Sequence, residues 1–569
     1  MKKGKLIILS SILIFLLIYV FAVELKNMRL ERERKEQQTT LFGYKIDDII
    51  SFELDGGSGK ITVERDDDQW LITSPINYKA DKSEIEKIID IISREKWGRS
   101  ISDASENLIN YGLKNPHISI DILLNIDSLF SLRIGDLTPT GESVYAKYTQ
   151  SPEIKLLPLS VQNGLRKKLY DLRDKKILDF NPAMVKHFTI SERDNIILEF
   201  EKNKEGLWQI VKPFEESADQ SFIDDLLTNI LNSKPKEFID VSKDNYADYG
   251  LDKVEKQVRF VLNSGEERFL NIGSFDNRDS NTLYVFNPNK TPIFAVNKIP
   301  FEKIDEPLSS FRGKKLLELN TVNHIAIRDR DKYFEFEKED SDWLIKSLKN
   351  PVMASEEIIN NMLSDFRAPK GITGFTDKSI KFDDNHYMLF KQDDFNPIYK
   401  IKIQKEEDTL YYSESNQKRG IFIIRNNIAS WLDRNTDYFI EKQFFPDRIS
   451  TISSLEFSDN TGKEYHIQCT PDKWKLVLPE ETLLSSEIKS SLYDNLNKME
   501  FKDYGIEKND DSEVMGWIKV GTEQGKIREI KIVGKEGEDY LVSYDNKPTL
   551  YKISSSYFDR IVDILKEIK

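Results

Sequence analysis

The residues with the most chemistry to offer are five histidines, one cysteine and several acidic clusters, and their spacing decides what they could do. His117, His187, His324, His386 and His466 are scattered, with neither a His-Glu-x-x-His run nor a close pair. A zinc site would need ligands converging from distant segments, so no metal site is assigned. Cys469 stands alone, which excludes an intramolecular disulfide framework and any multi-cysteine cluster. Its alternating neighbours, His466-Ile-Gln-Cys469, read as a strand in which the thiol is a small core group. Ser-x-x-Lys occurs at Ser93/Lys96, Ser233/Lys236 and Ser486/Lys489, each near a polar helix end and without the companion motifs of penicillin-binding enzymes. Gly56-Gly57-Ser58-Gly59 lacks the lysine of a phosphate loop and reads as a hairpin turn. Asp66-Asp67-Asp68 and Asp340-Ser-Asp342 lack the spaced ligands and closing glutamate of a calcium loop and read as solvated turns. No catalytic, cofactor-binding or metal residue is assigned, and no cofactor is expected.

The elements that would position such groups recur. Trp70, Trp208, Trp343 and Trp474 are separated by 138, 135 and 131 residues. Three head a short apolar run that ends at Pro75, Pro213 or Pro479; in the third copy the proline is Pro351. After each proline comes helical apolar spacing: Ile85, Ile88, Ile89, Ile92; Ile223, Leu226, Leu227, Ile230; Ile359, Met362, Leu363, Phe366; and Ile488, Leu492, Leu496, Met499. Each tryptophan is placed to fill a core between sheet and helix rather than to stack on a ligand. Tyr111-Gly112-Leu113 and Tyr249-Gly250-Leu251 lie 41 residues past their tryptophans, and Tyr504-Gly505-Ile506 echoes them; Gly112, Gly250 and Gly505 read as turns needing positive φ.

These landmarks predict an α+β chain: about four tandem mixed α/β repeats with mainly antiparallel sheets and helices on one side, preceded by one N-terminal transmembrane helix. The expected repeats are 41–177, 178–316, 317–445 and 446–569, with Lys175-Lys176 and Lys314-Lys315 marking equivalent seams. A closing helix is expected where Val161, Leu165, Leu169 and Leu172 share a face.

Leu6 to Val23 contains no charged side chain, and as a helix it would span roughly 27 Å, close to a bilayer's hydrocarbon thickness. Lys2, Lys3 and Lys5 precede it, which predicts a cytoplasmic N-terminus (1–5), a membrane anchor (6–23), a charged stalk (24–40) and an exported body. The expected place is the cytoplasmic (inner) membrane, single-pass, with the bulk on the periplasmic or extracytoplasmic side. The net +4 of residues 1–40 leaves −18 on the remainder of a chain whose total is −14, so nucleic acid is not an expected partner.

The order strand, Trp70 to Pro75, helix, Tyr111-Gly112-Leu113, Ile134-Gly135-Asp136 and Val144-Tyr145-Ala146, behind a hydrophobic segment and charged stalk, resembles the bacterial domain-of-unknown-function 4340 family. The resemblance implies a companion encoded beside ABC-type transport components like those of gliding-motility export, with no functional residues to carry over. The expected function is therefore a non-catalytic, membrane-anchored extracytoplasmic accessory or scaffold protein whose partners are the lipid bilayer and transporter subunits. The alternative is an envelope glycan-binding protein or hydrolase with a cleft between repeats.

Overall fold

The computed structural model describes Lys26 and residues 40–568, apart from 45, 103–107, 126–127, 341, 393–397, 408, 446–450, 507–512, 524, 546 and 548. The first repeat contains nine strands: β1 (Ile49–Asp55), β2 (Lys60–Asp66), β3 (Gln69–Ser74), β4 (Tyr78–Lys79), β5 (Ser100–Ser102), β6 (Ile118–Leu124), β7 (Leu129–Leu137), β8 (Ser143–Tyr148) and β9 (Ile154–Pro158). They form one sheet in the order β4-β3-β2-β1-β6-β7-β8-β9-β5, and the same order recurs in three further nine-stranded sheets along the chain. The pairings within the first sheet are antiparallel. Two meanders therefore meet at the non-local pair β1–β6, where Phe52 lies opposite Ile122.

Alternation makes the sheet two-faced. Phe52, Leu54, Ile61, Val63, Ile72, Ile120 and Ile122 point into the core, while Glu53, Glu64 and Asp121 take the other face. The helix Lys82–Arg94 covers the core face, burying Ile85, Ile88, Ile89 and Ile92. Asp81 starts it by accepting hydrogen bonds from the backbone N–H of Ser83 and Glu84 at 3.0 and 3.3 Å. The helices Gln220–Leu231 and Glu356–Arg367 bury the four positions their spacing marks; Ser486–Asn497 buries Leu492 and Leu496. The peptide bonds before Pro75, Pro213 and Pro479 are cis.

The expected α+β balance is corrected by this architecture. Each repeat is a nine-stranded antiparallel sheet with few helices, not the mixed α/β unit expected. Part of the surplus consists of strands such as β4 and β5, two and three residues long, too short to show an alternating pattern. The closing helix of the first repeat is also two pieces, Leu159–Leu165 and Leu169–Leu172, because the chain turns extended at Lys168 between them. The transmembrane helix expected ahead of the repeats has no counterpart among the described residues, where no helix is long and apolar enough to cross a membrane. Leu6–Val23 and Lys2, Lys3 and Lys5, on which that expectation rested, lie outside the described residues.

The chain divides into two compact units, one of residues 1–207, 211–213 and 221–305, the other of 208–210, 214–220 and 306–569. Within the first, Arg173 closes the seam between the first two repeats. Its guanidinium lies 4.4 Å from the Tyr78 ring and 4.0 Å from that of Phe238, and it donates to both carboxylate oxygens of Asp240. Within the second unit Arg312 repeats the device, 3.8 Å from the Phe375 ring and paired with Glu216 at 2.7 Å. The third seam carries Ile440 at the corresponding bridge to Ala354, and it is held instead by Tyr504 Oη donating to Asp437 (3.1 Å) and Thr549 Oγ1 donating to the Pro351 carbonyl (2.7 Å).

Candidate functional site

Each sequence-marked residue has a defined place. Trp70, Trp208, Trp343 and Trp474 are 6, 1, 2 and 0% exposed, inside the cores between sheet and helix. Gly112 and Gly250 end 3-10 turns at φ +67°. These turns lie against the strands that carry Gly135 and Gly273, where any Cβ would run into the Tyr111 or Tyr249 carbonyl. The recurring Tyr-Gly-Leu and Ile-Gly pairs are thus two halves of one backbone crossing. Gly505 belongs to a different feature: it lies inside the strand Phe501–Ile506, at φ +76°.

The histidines stay apart, each against a carboxylate: His117 with Asp136 (2.8 Å), His187 with Glu199 (3.0 Å), His324 with Glu335 (2.7 Å), His386 with Asp329 (3.0 Å) and His466 with Glu464 (3.7 Å). Among the described residues no group of three or more His, Cys, Asp or Glu side chains is placed to hold a metal ion. Ser93 Oγ donates to the Ile89 carbonyl at 2.7 Å, inside its own helix, and Lys489 Nζ donates to the Pro471 carbonyl. Cys469 is buried, and burial pushes its thiol up to about 12, out of the nucleophilic range at neutral pH.

The second repeat carries a cavity of about 630 Å³ at one end of its sheet. Three segments shape it: the hairpin turn Glu192 to Asn195, the strand Glu267–Phe275, and the 3-10 helix Ile299–Asp305. Arg193 and Asp194 make the turn at φ +47° and +68°, the left-handed pair that a tight two-residue hairpin needs. Ile272, Leu283, Phe301 and Ile304 supply an apolar floor, and Phe275 stands half exposed at its lip.

The rim is charged. Lys256 Nζ reaches both Glu192 (3.5 Å) and Asp305; Arg193 pairs with Glu255 (3.2 Å) and Lys298 with Glu302 (3.6 Å). Each rim cation is thus already engaged by a carboxylate. An apolar floor under a few fixed charges suits binding and orientation of a small molecule. The sequence singles out none of these residues as a binding site, because their meeting depends on the pairing of strands distant along the chain.

A seam-side cluster lies between the third and fourth sheets, in the second compact unit. There Asp342 pairs with Lys526, and burial raises the carboxyl of Asp545 above its usual range. Glu339 is held below the usual range by its hydrogen bond from Lys346, with Lys547 adding to it.

A tandem array of antiparallel nine-stranded sheets, with a buried arginine closing each of the first two repeats, is the class of protein these features define. The family model described as "Domain of unknown function (DUF4340)" matches residues 70–232, 208–385 and 378–519, and the chain belongs to that family. Comparison with curated proteins gives no match.

Proposed function

We propose that this chain is a non-catalytic accessory scaffold of the cell envelope, working on the outer side of the cytoplasmic membrane with an ABC-type transport system of the gliding-motility export kind. The observation that carries the reading is the seam construction. Arg173, almost fully buried, locks the first two sheets together without a linker, so those repeats hold their polar faces in fixed register within one compact unit, and Arg312 is the same device inside the other. A stiff repeated surface is what a positioning subunit needs, since preorganisation lowers the entropy lost on binding a partner. The acidic body favours protein or small-molecule partners over phosphate backbones.

The uncharged run Leu6–Val23, behind three lysines, supports attachment at the cytoplasmic membrane with the repeats exported. Co-purification from the native host in mild detergent tests the proposal. Recovery of transporter subunits in fixed ratio to the chain is the expected result, and recovery of the chain alone across several detergents would overturn it. An envelope hydrolase or glycan binder would instead be marked by retention on cell-wall glycans.

A further inference from the structure

The cavity of the second repeat follows from two departures from the first repeat. In the register that sets Phe52 opposite Ile122 in the first sheet and Phe188 opposite Phe260 in the second, Glu192 stands where the first repeat has Gly56, and Lys256 stands where it has Ile118. In the first repeat this end is packed shut. A Cβ on Gly56 would come within 2.5 Å of the Lys167 carbonyl oxygen, and Ile118 is buried. A glutamate cannot occupy a position that close to the backbone, so the second repeat keeps its turn clear of the neighbouring segment. The space that results is the cavity of about 630 Å³, within the range of small-molecule sites.

Its charge selects the ligand. The rim holds four carboxylates (Glu192, Glu255, Glu302, Asp305) and three cations (Arg193, Lys256, Lys298). Lys256, set opposite Glu192 in the strand register, is 22% exposed and shared between two carboxylates, Glu192 and Asp305; Lys298 is 32% exposed, Glu302 56% and Asp305 59%, and the outermost cation, Arg193 at 79%, is paired with Glu255. Carboxylates outnumber cations by one, since Glu192 and Asp305 share Lys256, and an anionic ligand would find no uncommitted cation to pair with. Beneath it lies the apolar floor of Ile272, Leu283, Phe301 and Ile304, with Phe275 at the lip.

We propose that this cavity binds a small amphiphilic cation, an apolar group carrying one ammonium or guanidinium, with the apolar part on the floor and the charge against Asp305 and Glu302. The test is calorimetric titration of the full chain with octylamine, octanol and octanoate, each below its micelle concentration. Octylammonium is expected to bind at least tenfold more tightly than octanoate. Removing the proposed anchors, Asp305→Asn with Glu302→Gln, should weaken octylammonium at least tenfold and leave octanol unchanged. Phe275→Ser, at a half-exposed lip position, should weaken octanol and octylammonium alike. Equal binding of the three head groups, or octylammonium binding unchanged in both variants, would overturn the proposal.

Discussion

The guanidinium of Arg173, in the last segment of the first repeat, donates two hydrogen bonds to the carboxylate of Asp240 in the second, at 2.5 and 2.9 Å. The two partners live in different surroundings. Arg173 is 2% exposed between two aromatic rings, while the Asp240 side chain is 40% exposed. Removing either side breaks the same bonds but leaves behind very different groups.

That asymmetry makes a prediction about the seam. Asp240→Ala leaves a buried, unpaired guanidinium and should cost about 3–5 kcal/mol, whereas Arg173→Met keeps the packing and lets Asp240 rehydrate, costing about 1–2 kcal/mol. Urea denaturation of the two variants measures the difference. Equal losses would mean that the aromatic sandwich, not the ion pair, holds the seam.

The second arginine seam is more heavily charged. Glu216 is buried between Arg312 (2.7 Å) and Lys418 (3.2 Å). Glu216→Gln should destabilise by about 3 kcal/mol or more, since it strands two buried cations. Adding Lys418→Met should recover part of that loss, a non-additivity that a double-mutant cycle reads directly.

The tryptophans are expected to behave as core residues. Trp474 is fully buried and its indole N–H has no hydrogen-bond partner among the described residues. Trp474→Ala should cost about 3–5 kcal/mol through the cavity it leaves. Trp474→Phe loses no hydrogen bond, so it should cost less than half as much, as thermal or urea unfolding of the two variants would register.

Cys469 offers a probe without mutation. Burial among core residues pushes its thiol up to about 12, so a thiol reagent at pH 8 should leave the native chain unlabelled and modify it fully in denaturant. Rapid labelling of the native chain would show that the fourth repeat opens far more readily than its packing implies.

Acid should loosen the first repeat by a defined route. Hydrogen bonds from Lys167 and then Lys87 hold the Glu84 carboxyl down to about 2, below its ordinary 4.5. A depressed carboxyl contributes stability above its unfolded value and loses it as pH falls toward the folded one, so the window runs from about 4.5 down to 2. Solvent screening limits the effect to about 1 kcal/mol. In Glu84→Gln, that part of the acid dependence of unfolding should vanish.

Local features of this fold were legible in the amino-acid order, and non-local ones were not. Trp70 to Pro75 and the face of Ile85, Ile88, Ile89 and Ile92 declare themselves within a few residues, because burial imposes its period on consecutive positions. The β1–β6 pair joins residues some seventy positions apart, and nothing in either strand names its partner. Two-residue strands such as Tyr78–Lys79 carry no period at all. The seam arginines carry a local signal too. Leu169-Tyr-Asp-Leu-Arg173 and Leu308-Ser-Ser-Phe-Arg312 each stand two residues before the lysine pairs that do mark the seams. The cavity left a subtler one, since its origin is the contrast between Gly56 and Glu192, which appears only once the two repeats are aligned by strand register.

The proposed role as a positioning scaffold is tested most directly by photo-crosslinking in intact cells, with the crosslinker placed on the exposed polar face of a sheet, at Glu53 or Glu201, and partners identified by mass. The account predicts adducts with subunits of an ABC-type transporter, formed from these faces and absent when the crosslinker sits at a buried position such as Ile190. Adducts confined to cytosolic proteins, or none from either face, would contradict it.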